Sequence, residues 1–205
     1  MASSNEKNVD GFLFPTIYPI VGTPNYESIV DIHLKLNSNT ASFQSNLGCG
    51  TLGLLFLTVS PAVYATLSDI TFVPPVNPGP KPNIPAGPTV ATIANLRYYH
   101  AVVTKIFAEY ENTNKSLRQL LLVSTDKLYV RSLHHKYIGY GNTTTCSLLD
   151  HLYSTYANIS ASALQGNGAR LRDPYKSNQP FETLLDQVEN AVDYESAGDT
   201  SRVVL

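Results

Sequence analysis

An all-α fold, an irregular helical bundle with one proline-rich extended segment, is the architecture the sequence predicts. Apolar residues recur at three- and four-residue steps over much of the chain, the spacing that aligns side chains along one stripe of a helix. No alternation of apolar and polar residues persists for more than a few positions, so no strand pattern competes with the helices. Residues 74–88 hold seven prolines in fifteen positions, which excludes helix and sheet interiors and favours an extended connection. At 205 residues and 43% apolar content, the chain is long enough for one sizeable core with arms. The expected layout is an arm over 1–22, a first helical segment over 23–73, the connection at 74–88, the main bundle over 89–198 and a tail at 199–205.

The first helix is expected in "TPNYESIVDIHLKLN", where Thr23 can cap and Pro24 can occupy the first helical position. Tyr26, Ile29, Val30, His33 and Leu36 or Leu34 then fall near one face, and His33 reads as a hydrogen-bonded core residue. "NLGCGTLG" places three glycines within six residues and reads as a flexible turn. Ser60 and Pro61 repeat the cap-and-proline device, predicting a short second helix.

After the connection, Ile93, Leu96, Tyr99, Val103, Ile106, Phe107 and Tyr110 form the most periodic stretch of the chain. Leu117, Leu120 and Leu121 continue it beyond an expected break at "NTN", residues 112–114. "TDKLYVRSLHHKYIGYG" reads as a further helix closed by Gly139 and Gly141. Thr144 then caps a helix whose Leu148, Leu149, Leu152 and Tyr156 make one buried seam. The last helix carries a second seam of Phe181, Leu184, Leu185, Val188 and Val192, ending at Gly198.

Chemistry is sparse. Phosphate-loop, dinucleotide-fold, zinc-protease and nucleophile-elbow motifs are all missing, so no enzyme activity, cofactor, metal site or small-molecule substrate is expected. Asp150 and His151 with scattered serines do not make a hydrolytic triad, because neighbours on a helix diverge. The polar start "MASSNEKNVDG" and the short apolar run from Leu52 to Val59 point to a cytoplasmic protein without membrane contact. Two cysteines, Cys49 and Cys146, suit a reducing compartment.

The net charge of −2 hides a gradient: residues 1–80 carry −3, residues 81–146 carry +5 and residues 147–205 carry −4. Such asymmetry marks either a polyanion-binding face or complementary faces that stack copies head to tail. Lys115, Arg118, Lys127, Arg131 and Lys136 are the candidate nucleic-acid contacts, with Tyr129 and Tyr137 available for stacking. A host adaptor reading partners through the proline-rich segment is a further possibility.

The segment "TTCSLLDHLYSTY", Thr144 to Tyr156, resembles the most recognisable stretch of Gag polyproteins from copia-type LTR retrotransposons, a threonine-capped helix with an apolar pair, an Asp, a leucine and a closing tyrosine. "VGTPNYESIVDIHLKL" is similar to the family's opening helix. "KSLRQLLLVSTDKLYVRSL" is similar to the helix pair preceding the threonine cap, and "PFETLLDQVENAVDYESAG" to a later helix ending in a small residue and glycine. These segments occur in the family's order over roughly residues 14–198. Ile29 and Leu149 stand where many members have tryptophan, and the resemblance includes no Cys-Cys-His-Cys zinc knuckle. It implies the N-terminal portion of a capsid-like Gag: a retroelement capsid lobe without catalysis, self-associating into particles around element RNA in the cytoplasm.

Overall fold

The structure, a computed structural model, describes residues 17–48, 50–83, 87, 89–174 and 178–202. The N-terminal arm through residue 16, Cys49, positions 84–86 and 88 of the connection and the end of the tail lie outside them. Six α-helices run in the order α1 Tyr26–Ser42, α2 Pro61–Leu67, α3 Val90–Ser124, α4 Thr145–Tyr156, α5 Ala161–Arg170 and α6 Glu182–Arg202. Among the described residues no strand forms, and one isolated bridge joins His135 to Gly139. The fold is all-α.

Side-chain caps start four of the first five helices where the sequence offers them: Ser60, Thr89, Thr144 and Ser160 each accept a backbone N–H from the first turn. The start of α1 differs from the expectation. Its cap is Asn25, whose side chain accepts the Ser28 N–H at 2.9 Å while the Ser28 hydroxyl accepts the Asn25 N–H at 3.0 Å. That reciprocal box satisfies two end groups and outcompetes Thr23, which has no such partner three residues on.

The core lies where α1, α3 and α4 meet. Ile29, Ile32 and Leu36 of α1 pack with Leu117 and Leu121 of α3 and with Leu148, Leu149 and Leu152 of α4, all at most 2% exposed. Helices before and after the proline-rich connection therefore share one interior, so the connection does not separate two cores. A satellite cluster of Leu55, Val59, Tyr64 and Phe72 extends it. There Phe72 stacks on Phe56 at 4.3 Å between ring centres and lies 6.3 Å from the ring of Tyr110 on α3.

The glycine-rich stretch does turn, and one of its glycines is held close against α1. It crosses the C-terminus of α1, where the Leu54 N–H donates to the Thr40 carbonyl at 3.0 Å. Gly53 has φ +53°, and a Cβ there would collide with the carbonyl oxygens of Thr40 and Phe43. Only glycine meets both demands.

The break expected at residues 112–114 does not occur; α3 runs unbroken for 35 residues. Thr113 returns its hydroxyl to the Glu109 carbonyl at 2.9 Å, and Asn114 turns inward. The Asn114 carboxamide oxygen accepts the Thr145 hydroxyl at 3.1 Å and lies 3.5 Å from the Thr145 N–H at the first residue of α4. The polar residues that suggested a loop are a clasp between two helices. Residues 126–141, expected as a helix, instead form turns, a 3-10 segment at Arg131–Leu133 and the His135–Gly139 bridge. Asp126 starts this irregular path by accepting the Leu128 N–H on its side chain, which competes with helix formation.

The final helix does not stop at Gly198 but runs to Arg202. Gly198 serves close approach, since a Cβ there would press on the Leu164 side chain of α5. Replacing Asn114 by Ala should lower stability by about 1–3 kcal/mol in urea unfolding, because a buried helix-end donor loses its acceptor. The exposed Asn142→Ala control should change it by less than about 0.5 kcal/mol.

Candidate self-association surface

Two helices carry apolar rows that the described residues leave exposed. The first is the outer part of α3. All buried positions of this helix lie between Thr113 and Ser124, so the stretch from residue 90 to 108, about 28 Å long, stands clear of the main core. Ten of its nineteen residues are β-branched or aromatic, a composition that is a marginal helix former alone in water. Leu96 and Tyr99 of the predicted stripe are 44% and 70% exposed, and Ile93, Val103, Ile106 and Phe107 are half-buried. The stripe exists, but only its base near Tyr110 meets the core.

The proline-rich segment meets α3 beside this stripe. Phe72 sits beside Tyr110, and the Gly79 carbonyl accepts a hydrogen bond from His100 Nε2 at 3.1 Å, so the segment returns along α3. Between them lies a groove of about 710 Å³. Pro82, Ala101, Thr104 and Ala108 line it together with Lys81, Arg97, His100 and Lys105, and none of these described lining residues is acidic. Lys81, Arg97 and Lys105 make no ion pair with described residues.

The second uncovered row is on α6. The sequence places Phe181, Leu184, Leu185, Val188 and Val192 in a buried seam, and the structure corrects this. Leu185, Val188 and Val192 are 48%, 40% and 49% exposed, Phe181 is exposed as well, and only Leu184 is half-buried. The helix instead turns Ala191 and Gly198 inward. Asn167 of α5 donates to the Ala191 carbonyl at 2.7 Å, Gln187 donates to the Arg170 carbonyl at 2.6 Å, and Tyr194 meets Tyr26 edge-on at 5.6 Å. Small residues let α5 and α6 approach closely, which rotates the larger apolar side chains about 100° away. By contrast, Leu148, Leu149 and Leu152 of the first seam are buried, while Tyr156 is half-buried against the Tyr129 ring at 5.3 Å.

The basic candidates divide. Arg118 donates to the carbonyls of Gly141 and Thr143, at 3.2 and 2.9 Å, and so holds the turn before α4. Lys115, Lys127, Arg131 and Lys136 are exposed, and Lys136 sits 5.4 Å over the ring of exposed Tyr137.

Potential reactive groups are otherwise engaged. His151 Nε2 lies 3.0 Å from the Tyr129 carbonyl, which only accepts, so that nitrogen carries the proton and cannot activate Ser132 at 3.2 Å. Cys146 faces Asp150, and burial first, then that carboxylate, pushes its thiol up to about 11, away from thiolate chemistry. Among the described residues no cluster of His, Cys, Asp and Glu could hold a metal ion, and no helix is long and apolar enough to cross a membrane.

His33 bridges elements at the core edge. Its Nε2 donates to the Thr58 carbonyl at 2.9 Å, so Nδ1 is the acceptor for the Tyr153 hydroxyl at 3.0 Å. Burial lowers the His33 pKa from 6.5, and burial pushes Tyr153 up to about 12, so both groups stay neutral at pH 7. Compared with known protein families, curated proteins and solved structures, the chain matches none of them.

The His33 environment sets a pH dependence. The unfolded chain gains the imidazole proton near pH 6.5, before the folded chain does, so the His33 contribution is whole above that pH and is lost as pH falls toward the lower folded value. Urea midpoints should therefore drop between pH 7.5 and pH 5.5, and the drop should shrink in His33→Gln. An equal drop in both proteins would show that His33 does not carry it.

Proposed function

We propose that this chain is a structural, self-associating protein, the capsid-like N-terminal portion of a copia-type Gag, which builds particles around element RNA in the cytoplasm. The observation that carries the proposal is the pair of uncovered apolar rows, on the outer stretch of α3 and on α6. A chain that leaves Leu96, Tyr99, Leu185, Val188 and Val192 at its surface has apolar faces of the kind that protein contacts cover. Scattered apolar residues are common on monomers, but rows at helical spacing on two helices are ordered like interfaces. The resemblance of residues 144–156 to the Gag threonine-capped helix adds to this. Thr144 caps α4 and its three leucines face the interior, which leaves the recognisable segment a packing role and the outer surface free for copies.

A second reading is supported by the exposed Lys127, Arg131 and Lys136 with Tyr137 beside them. On that reading this irregular segment contacts RNA phosphates and bases. Glu at those three lysine and arginine positions should weaken RNA binding and flatten its salt dependence; unchanged binding removes this reading.

The leading proposal predicts that the mass measured by light scattering after size exclusion rises with concentration between about 1 µM and about 1 mM, the range of weak single interfaces. Electron microscopy of the concentrated sample should show rings, sheets or shells. A strict monomer across the range contradicts the proposal.

A further inference from the structure

We infer that α6 of one copy seats in the groove between α3 and the proline-rich segment of a second copy, forming a head-to-tail contact. The inference rests on the self-association proposed above and names the two faces that meet.

Along α6, the acidic residues Glu182, Asp186, Glu189 and Asp193 repeat at steps of four, three and four. They run one residue behind Phe181, Leu185, Val188 and Val192, so an acidic row lies about 100° around the helix from an apolar row. Between residues 182 and 195 there are five acidic side chains and no basic one. Glu182, Asp186 and Glu189 make no ion pair with described residues. On this helix surface Leu185, Val188 and Val192 are exposed beside acidic side chains that meet no cation among the described residues.

The groove offers apolar surface and cations. Of its lining residues, Pro82, Ala101, Thr104 and Ala108 are small and largely apolar, leaving room for larger side chains. Arg97 and Lys105, eight residues apart on α3, stand about 12 Å apart along the axis, with Lys81 on the facing segment. Asp186 and Glu189 to Asp193 span about 10 Å, so one acidic row can address both cations at once. An amphipathic helix laid in a groove with its charges matched at the edges is an established recognition mode. The predicted stripe of α3, with Leu96, Tyr99 and Val103, is more apolar but contains no cation to meet the acidic row.

The two faces are different surfaces of the same chain, so the contact is heterologous. Each copy offers one α6 and one groove, and repetition gives a ring or an open array rather than a closed two-fold pair. Lys81, Arg97 and Lys105 contribute to the +5 of residues 81–146, and Glu182, Asp186, Glu189 and Asp193 to the −4 of residues 147–205.

The test is a charge exchange on the full chain, read by sedimentation equilibrium. Arg97→Glu with Lys105→Glu makes the groove acidic; Asp186→Lys with Glu189→Lys makes α6 basic. All four residues are exposed, and circular dichroism checks that each variant keeps its helices. Each pair alone should weaken association at least about tenfold. An equimolar mixture of the two variants should restore it, because each new face then finds its complement, and so should one chain carrying all four changes. If the native chain associates but neither pair weakens it, or if mixing fails to restore it, copies meet through another face and the inference is overturned while self-association stands. A native chain that never associates overturns both.

Discussion

The fold depends on one packing constraint, the bedding of Leu117 and Leu121 of α3 and Leu148, Leu149 and Leu152 of α4 on Ile29, Ile32 and Leu36 of α1. These residues are at most 2% exposed, and losing any one would leave a cavity costing about 2–5 kcal/mol. Because that contact grips only the C-terminal third of α3, it also decides what the rest of the helix does. The lower part is fixed by leucines and by the Asn114–Thr145 clasp, and the upper part is carried outward as a rigid continuation. The α3 surface and the groove beside it follow from where the core ends.

Polar groups then set the register of the elements around this interior. His33 ties α1 to the Thr58 carbonyl and to Tyr153 of α4, while Arg118 ties α3 to the turn that leads into α4. Phe72, stacked between Phe56 and Tyr110, anchors the start of the proline-rich segment on α3. From there residues 74–83 run beside α3 without forming a helix or a strand, and Lys81 and Pro82 make one wall of the groove. A composition that reads as a mere spacer becomes one side of a surface feature.

Much of this was legible in the sequence where a local device acts without competition. Ser60 with Pro61, and Thr144 before its leucine pair, start helices as read, and the seam of Leu148, Leu149 and Leu152 faces inward as its spacing requires. The misreadings arise where a distant partner decides. Asn114 looks like a loop residue until Thr145, 31 positions away, donates its hydroxyl to the Asn114 carboxamide oxygen and joins two helices. Gly53 looks like freedom until the carbonyls of α1 crowd it. The apolar row of α6 has the right period for burial, but Ala191 and Gly198 allow a closer approach to α5, and close packing wins over side-chain size. The periodicity of α3 was legible on both sides of residues 112–114, yet period alone does not say whether the covering partner belongs to the same chain. The groove was out of reach because it joins residues 81–82 to a helix face through contacts that no local pattern encodes.

The central claim is that other copies cover the apolar row of α6 and the outer stretch of α3. Amide hydrogen exchange measured at low and at high protein concentration tests it most directly, since it reads backbone protection residue by residue. The account predicts that amides over 90–108 and 182–192 exchange markedly more slowly at high concentration, while those over 113–124 stay equally protected throughout. Identical exchange of the outer α3 and α6 amides at both concentrations would contradict it.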